Sequence, residues 1–173
     1  MIYKIIFTCL IISSANSFAK GTYQQPAEFV AQAFTVQPEP QAIWIKGKLR
    51  EEIESILQHK SLSKRIRYWK NKTRSVWVLE EIGKKKPITV GIVIDDNKIS
   101  RLKVLVFRES RGWEVRYPFF TQQFDNLTLN SDNTLSETID GVSGATLSVR
   151  ALEKLARIAL MLNNTVQSQV TAK

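Results

Sequence analysis

The sequence predicts an α+β fold: a mostly antiparallel central sheet with flanking helices, closed by a long C-terminal helix. Two observations carry this expectation. Between residues 65 and 107 the chain falls into short runs of β-branched and aromatic residues separated by polar turns. After residue 148 the period becomes helical, and Ala151, Leu152, Leu155, Ile158, Ala159 and Leu162 fall on one stripe about 120° wide. Arg150, Lys154 and Arg157 cluster on another face, so this helix is expected to lie against a core.

Taken in order, Met1–Ala19 carries Lys4, an apolar run from Ile5 to Ile12 and a small-x-small cleavage signal, Ser17-Phe18-Ala19. That pattern predicts a secretory signal peptide, with a run too short to span a bilayer. The remaining chain, from Lys20, is expected in the periplasm or otherwise outside the cytoplasm. Its length, roughly 150 residues, is enough for one domain with a sizeable core. Cys9 is the single cysteine and falls inside the leader. Without it no disulfide, no thiolate metal site and no c-type haem attachment is expected.

Lysine and arginine number 25 against 16 acidic residues, and loss of Lys4 leaves a formal net charge of +8. In a cytosolic chain that balance would suggest nucleic acid. For an exported one it points instead to an anionic cofactor, acidic partner proteins or association with a membrane surface, and no nucleic-acid partner is expected. Scattered solvating lysines are the plain alternative.

Residues 20–64 read as an N-terminal helical segment. After the polar arm Lys20–Gln25, a helix is expected over Pro26–Phe34, with proline at its favoured first turn. Val36–Pro40 is a stiff connector. Lys48–Leu57 reads as a second helix with Leu49, Ile53, Ile56 and Leu57 on one side. The strands are expected at Arg65–Trp69, Ser75–Glu80, Ile88–Ile94 and Ile99–Phe107, with Asp95–Lys98 turning the last hairpin. Trp69 and Trp77 read as core. Phe107–Phe120 mixes charges and aromatics densely, as an exposed functional loop does. Asn130–Leu135 is a polar turn, and 166–173 a flexible tail.

The chemistry-bearing stretch is Asp140-Gly141-Val142-Ser143-Gly144-Ala145-Thr146-Leu147-Ser148. Three small residues deliver the Thr146 hydroxyl to the first turn of a helix, where backbone N–H groups lack intrahelical partners. Those groups and the helix dipole favour an anion, and Gly144 lets the backbone approach it closely. An ordinary capped helix start explains the same composition. A hydrolase reading fails on missing parts: Ala145 stands where a nucleophile elbow needs its second glycine, and His59, the only histidine, precedes Ser143.

As a whole, Asp140-x-x-Ser143-Gly144-Ala145-Thr146 followed by Leu147-Ser148 resembles the flavinylation motif of the FMN-binding domain family. That family includes the C and G subunits of sodium-pumping NADH:quinone oxidoreductase and of its Rnf relative, and small exported stand-alone members. The resemblance spans roughly Ser75 to Leu162 and implies a domain over 65–165 that carries FMN on Thr146 through a phosphoester. It further implies an FAD-dependent flavin transferase that installs the FMN, and membrane or periplasmic electron donor and acceptor proteins. Glu109-Ser110-Arg111-Gly112 is similar to the family's Glu-Thr-Pro-Gly segment, with serine and arginine replacing threonine and proline. Gln123-Phe124 resembles the phenylalanine that follows it.

For a flavin, Trp113, Tyr117, Phe119 and Phe120 could form a flat wall, with core packing the plainer role for each, and Arg108, Arg111 and Arg116 could donate to ring carbonyls or stabilise an anionic reduced flavin. The implied function is an electron-transfer carrier without catalytic activity of its own, with no metal. The competing expectation is a cofactor-free periplasmic module that binds an anion or is purely structural.

Overall fold

The computed structural model describes residues 21–61 and 63–171. The expected signal peptide, with Cys9 and the cleavage point at Ala19, lies outside the described residues, as do the last two residues of the expected tail.

Five antiparallel strands form one sheet in sequence order: β1 (Gln41–Trp44), β2 (Arg65–Lys70), β3 (Arg74–Ile82), β4 (Pro87–Asp95) and β5 (Lys98–Phe107). The four strands expected from sequence are all present, each within two residues of its expected bounds. The β4–β5 turn places Asp96 and Asn97 at φ 46° and 64°, the left-handed pair that a two-residue hairpin of this hand requires. Strand β1 is an addition to the expected set. Its Ile43 is buried opposite Ile66 of β2, so the N-terminal segment is part of the sheet and not merely helical.

Helix α1 (Pro26–Gln32) lies on one face of the sheet, where Phe29 and Val30 pack with Val76, Val93 and Leu105. Helix α2 (Gly47–Leu57) and the long helix α4 (Thr146–Thr171) lie on the other, and the single-turn helix α3 (Pro118–Thr121) follows β5 in the chain. Every residue of the expected stripe on α4 is buried, against Trp77, Ile92 and Leu102 among others. The helix begins at Thr146, two residues before the apolar period shows, because Leu147 faces solvent and breaks the pattern. It also runs past residue 165. Val166 is buried and Gln167 accepts a hydrogen bond from Lys70 at 2.7 Å, so the stretch expected as a flexible tail is helical through Thr171.

A buried polar chain fixes the register of α4 on the sheet. Trp77 Nε1 donates to Ser75 Oγ and that hydroxyl donates to Asn163 Oδ1, each at 2.8 Å. Asn163 Nδ2 then donates to Asn97 in the hairpin turn, also at 2.8 Å. Such a network specifies one alignment, since a slip would leave several buried groups unpaired.

Candidate functional site

The antiparallel order brings the end of β1, the start of β2, the β3–β4 turn and the end of β5 to one end of the sheet. The N-terminus of α4 opens there as well. Ala145, the residue before that helix, has no side-chain oxygen to cap it; its carbonyl accepts from Val149 at 3.0 Å. The N–H groups of Thr146, Leu147 and Ser148 find no acceptor among the described residues. Three donors therefore remain free at the positive end of a helix dipole. The approach is kept tight by the Ala145 N–H, which donates to Val142 O at 2.9 Å. Gly144 sits at φ 79°, and a Cβ there would meet nothing within 4 Å, so open space lies in front of the turn. Asp140, Ser143, Thr146 and Leu147 are exposed, whereas Ala145 and Ser148 are buried. Gln123 Oε1 holds the Asp140 backbone N–H at 2.7 Å and so anchors the start of the motif.

The second segment, Glu109–Gly112, leaves β5 and packs directly on this helix start. Gly112 is at φ 80°, and a Cβ there would lie 2.8 Å from Ser148 Oγ and 3.2 Å from Ala145 Cβ. Glycine at 112 and alanine at 145 are thus two sides of one close approach, which the sequence shows only as separate small residues. Glu109 turns the other way. Its Oε1 accepts the backbone N–H groups of Lys84, Lys85 and Lys86 at 2.5, 2.5 and 2.8 Å, fixing the β3–β4 turn. Burial pushes the Glu109 carboxyl up, but these three donations and nearby Lys84 outweigh it and hold it below the ordinary glutamate value.

Between these three segments lies a cleft of about 510 Å³. Gly144 to Ser148 form one wall, Glu109, Ser110 and Arg111 another, and Lys84 with Lys85 the third. Thr146 opens into it with the free N–H groups beside its hydroxyl. The structure therefore brings together Thr146, Ser143-Gly144-Ala145, Leu147-Ser148 and Glu109-Ser110-Gly112, while Asp140 stands at the start of the same turn. The chemistry of the lining is that of an anion site: free amides, a helix N-terminus and three cations. An FMN phosphate fits such a donor set.

A neighbouring hollow of about 440 Å³ shares Glu109 and Ser110 with the cleft and is lined further by Gly21, Tyr23, Phe107 and Trp113. Tyr23 arrives on the N-terminal arm, which pairs with the end of β5 through Tyr23 N–H to Leu105 O and Phe107 N–H to Gly21 O, both 2.8 Å. Arg116 sits among three rings, 4.3 Å from Tyr23, 4.8 Å from Tyr117 and 5.1 Å from Trp113. Trp113, Tyr117 and Phe119 are exposed beside the site.

Two expectations need correction. Phe120 is fully buried, edge-on to Phe124, and belongs to the core and not to a flavin wall. Arg108 is engaged with Glu80, the Pro87 carbonyl and Thr89 Oγ1, and only Arg111 of the three arginines lines the main cleft. Sequence reasoning passed over Lys84, Lys85 and Tyr23. The run Lys84-Lys85-Lys86 in a turn was the available signal for the first two; nothing local marked Tyr23.

Comparison with known proteins agrees with the geometry. Residues 83–161 match the model of a family described as FMN-binding domain, a span that includes β4, β5, the Glu109–Gly112 segment and more than half of α4. No curated protein matches the chain. The match supports residues 83–161 as an FMN-binding domain and FMN as the ligand bound there.

Proposed function

We propose that the chain carries FMN covalently, through a phosphoester to Thr146 Oγ1, and serves outside the cytoplasm as an electron carrier between donor and acceptor proteins. The observation that carries this reading is the exposed Thr146 hydroxyl at the first residue of α4, beside three unpartnered N–H groups, opening on a cleft large enough for a bound nucleotide. Attachment from FAD by a flavin transferase would form the Oγ1–phosphorus bond and break the pyrophosphate bond, with AMP leaving and taking up the hydroxyl proton. Bound FMN supplies the redox chemistry.

The chain's own residues supply the rest. The free amides of Thr146, Leu147 and Ser148 would hold the phosphate oxygens of FMN. Lys84, Lys85 and Arg111 would balance its negative charge. Glu109 keeps the lysine turn in place, and Gly112 lets the loop close on Ala145. Tethering suits an exported carrier, because a cofactor lost by dissociation would be diluted away.

Thr146→Val tests the reading. It keeps the side chain's shape, removes the acceptor oxygen and sits at an exposed first-turn position, so the cost in stability is at most about 1 kcal/mol. Wild type co-expressed with a flavin transferase should retain flavin through denaturation, and the variant should fold and retain none. Protein from its native host should begin at Lys20 and fractionate outside the cytoplasm. Wild type that never acquires flavin beside an active transferase would leave the cofactor-free anion-binding reading; full-length chain in the cytosol would defeat the exported role.

A further inference from the structure

The end of the sheet that holds the cleft also gathers the chain's exposed apolar surface. Of the eight large hydrophobic side chains exposed among the described residues, seven lie at this end. Trp44 ends β1 and is 61% exposed; Ile82 ends β3 at 56%; Leu147 is in the first turn of α4. Trp113, Tyr117 and Phe119 follow β5, with ring centroids 5.6 and 6.3 Å apart in succession, and Tyr23 joins them through Arg116. Only Val36 lies elsewhere. Leu147 lines the cleft and Tyr23 and Trp113 the hollow beside it, while Ile82 and Trp44 lie farther along the same end; a monomer scatters such residues, and their concentration at one end marks a contact surface.

The same end is cationic. Lys84, Lys85 and Lys86 sit on a turn whose backbone is held by Glu109; all three are exposed and form no salt bridge among the described residues. Lys46 and Lys64 meet where Ile45 N–H donates to the Lys64 carbonyl, and Arg65 lies over the Trp44 ring at 5.9 Å. Of the nearby acids, Glu80 pairs with Arg108, Glu81 with His59 and Lys154, and Glu109 with backbone, while Glu114 and Asp140 form no salt bridge among the described residues. Among the described residues Lys46, Lys64, Arg65, Lys84, Lys85 and Lys86 form no salt bridge, although the Glu109 carboxylate lies near Lys84 and Arg108 is paired with Glu80.

We propose that this end of the molecule docks on an anionic lipid surface, with Trp44 and the Trp113–Phe119 aromatics at headgroup depth and the lysine turn against lipid phosphates. Tryptophan and tyrosine prefer that depth, and clustered lysines are drawn to anionic leaflets. The composition separates a membrane from a protein partner. Lysine is depleted in protein–protein contact surfaces, and five of the cations on this rim are lysines. No helix among the described residues is long and apolar enough to cross a membrane, so the contact is peripheral. It places the FMN cleft facing the bilayer, where membrane-bound redox partners reside.

The test uses flavin-free chain from Lys20 onward, which contains every described element, so its outcome does not depend on attachment at Thr146. Co-sedimentation is measured with phosphatidylcholine vesicles with and without phosphatidylglycerol. Binding should need phosphatidylglycerol and weaken with salt. Lys85→Gln with Lys86→Gln should lower partitioning roughly twenty-fivefold, about fivefold for each charge near the surface. Lys72→Gln with Lys98→Gln, an equal charge loss at the opposite end of the sheet, should change it less than twofold. Trp44→Ala should weaken binding in salt that screens the lysines. Absence of binding to phosphatidylglycerol vesicles at low salt, equal binding to both vesicles, or equal losses from the two lysine pairs would each overturn the proposal, the last by reducing it to net charge.

Discussion

Glu109→Gln isolates the charge that organises the site without removing the side chain. In the wild type one carboxylate oxygen receives three backbone N–H groups from Lys84, Lys85 and Lys86. Hydrogen bonds to a charged acceptor contribute about 1.5–3 kcal/mol each and neutral ones about 0.5–1.5, so neutralisation costs about 1 kcal/mol per bond before screening. The turn is solvent-exposed, which reduces the sum to about 1–2 kcal/mol overall. For a domain of this size that is a fall in Tm of roughly 2–8 °C. The sign with pH is fixed by the direction of the shift. A carboxyl held below its ordinary value stabilises the fold above that value, about 4.3, and loses the contribution as pH falls through the folded-state value. Urea unfolding of wild type and Glu109→Gln should therefore differ at neutral pH and converge in acid. In the flavin-loaded protein the same change should leave attachment at Thr146 intact and shift the flavin spectrum, as the lysine turn moves. Equal stability at neutral pH, or a difference that persists unchanged in acid, would refute the role assigned to Glu109.

Two further outcomes follow from the contacts. Gly112→Ala meets both a left-handed backbone and the first turn of α4, and should cost about 2–3 kcal/mol in urea unfolding while loosening flavin contacts; a neutral substitution would mean the loop does not dock on Ala145 and Ser148. His59 is held above its ordinary value, first by the Lys60 carbonyl and then by Glu81, so its contribution is complete below about 6.5 and is lost as pH rises through the folded-state value. His59→Gln should flatten that decline in unfolding midpoint between neutral and mildly alkaline pH, and an unchanged decline would assign it to another group.

Much of the fold could be read from sequence because its signals are local. The period-2 runs of β2 to β5, the Asp96-Asn97 turn and the apolar stripe of α4 each need only their own residues. Strand β1 was missed because the four residues Gln41–Trp44 carry little pattern alone; Ile43 and Ile45 alternate, but their burial depends on β2 and α2. The end of α4 was set too early because polar Asn163 and Asn164 interrupt the stripe, and Asn163 turns out to be buried by its bonds to Ser75 and Asn97.

The site divides the same way. The Asp140–Ser148 string was legible as a unit, since its small residues and threonine are contiguous. What it faces was not. Glu109 shows in the sequence only as part of a segment similar to the family's Glu-Thr-Pro-Gly, and only the long-range approach of the β3–β4 turn shows its carboxylate engaged with Lys84–Lys86 backbone. Phe120 could not be told from its exposed neighbours Phe119 and Tyr117 by composition, because burial in a tight helical turn depends on which side faces β5.

The most direct measurement locates the flavin on the chain. Cleavage after Arg116 and Arg150 releases residues 117–150 as one peptide, which contains Thr121, Thr128, Thr134, Thr138 and Thr146. In protein made beside an active flavin transferase, this peptide should carry the added mass of a phosphoester-linked FMN, and fragmentation should assign it to Thr146 alone. The mass on another threonine, on another peptide, or on none would contradict the account.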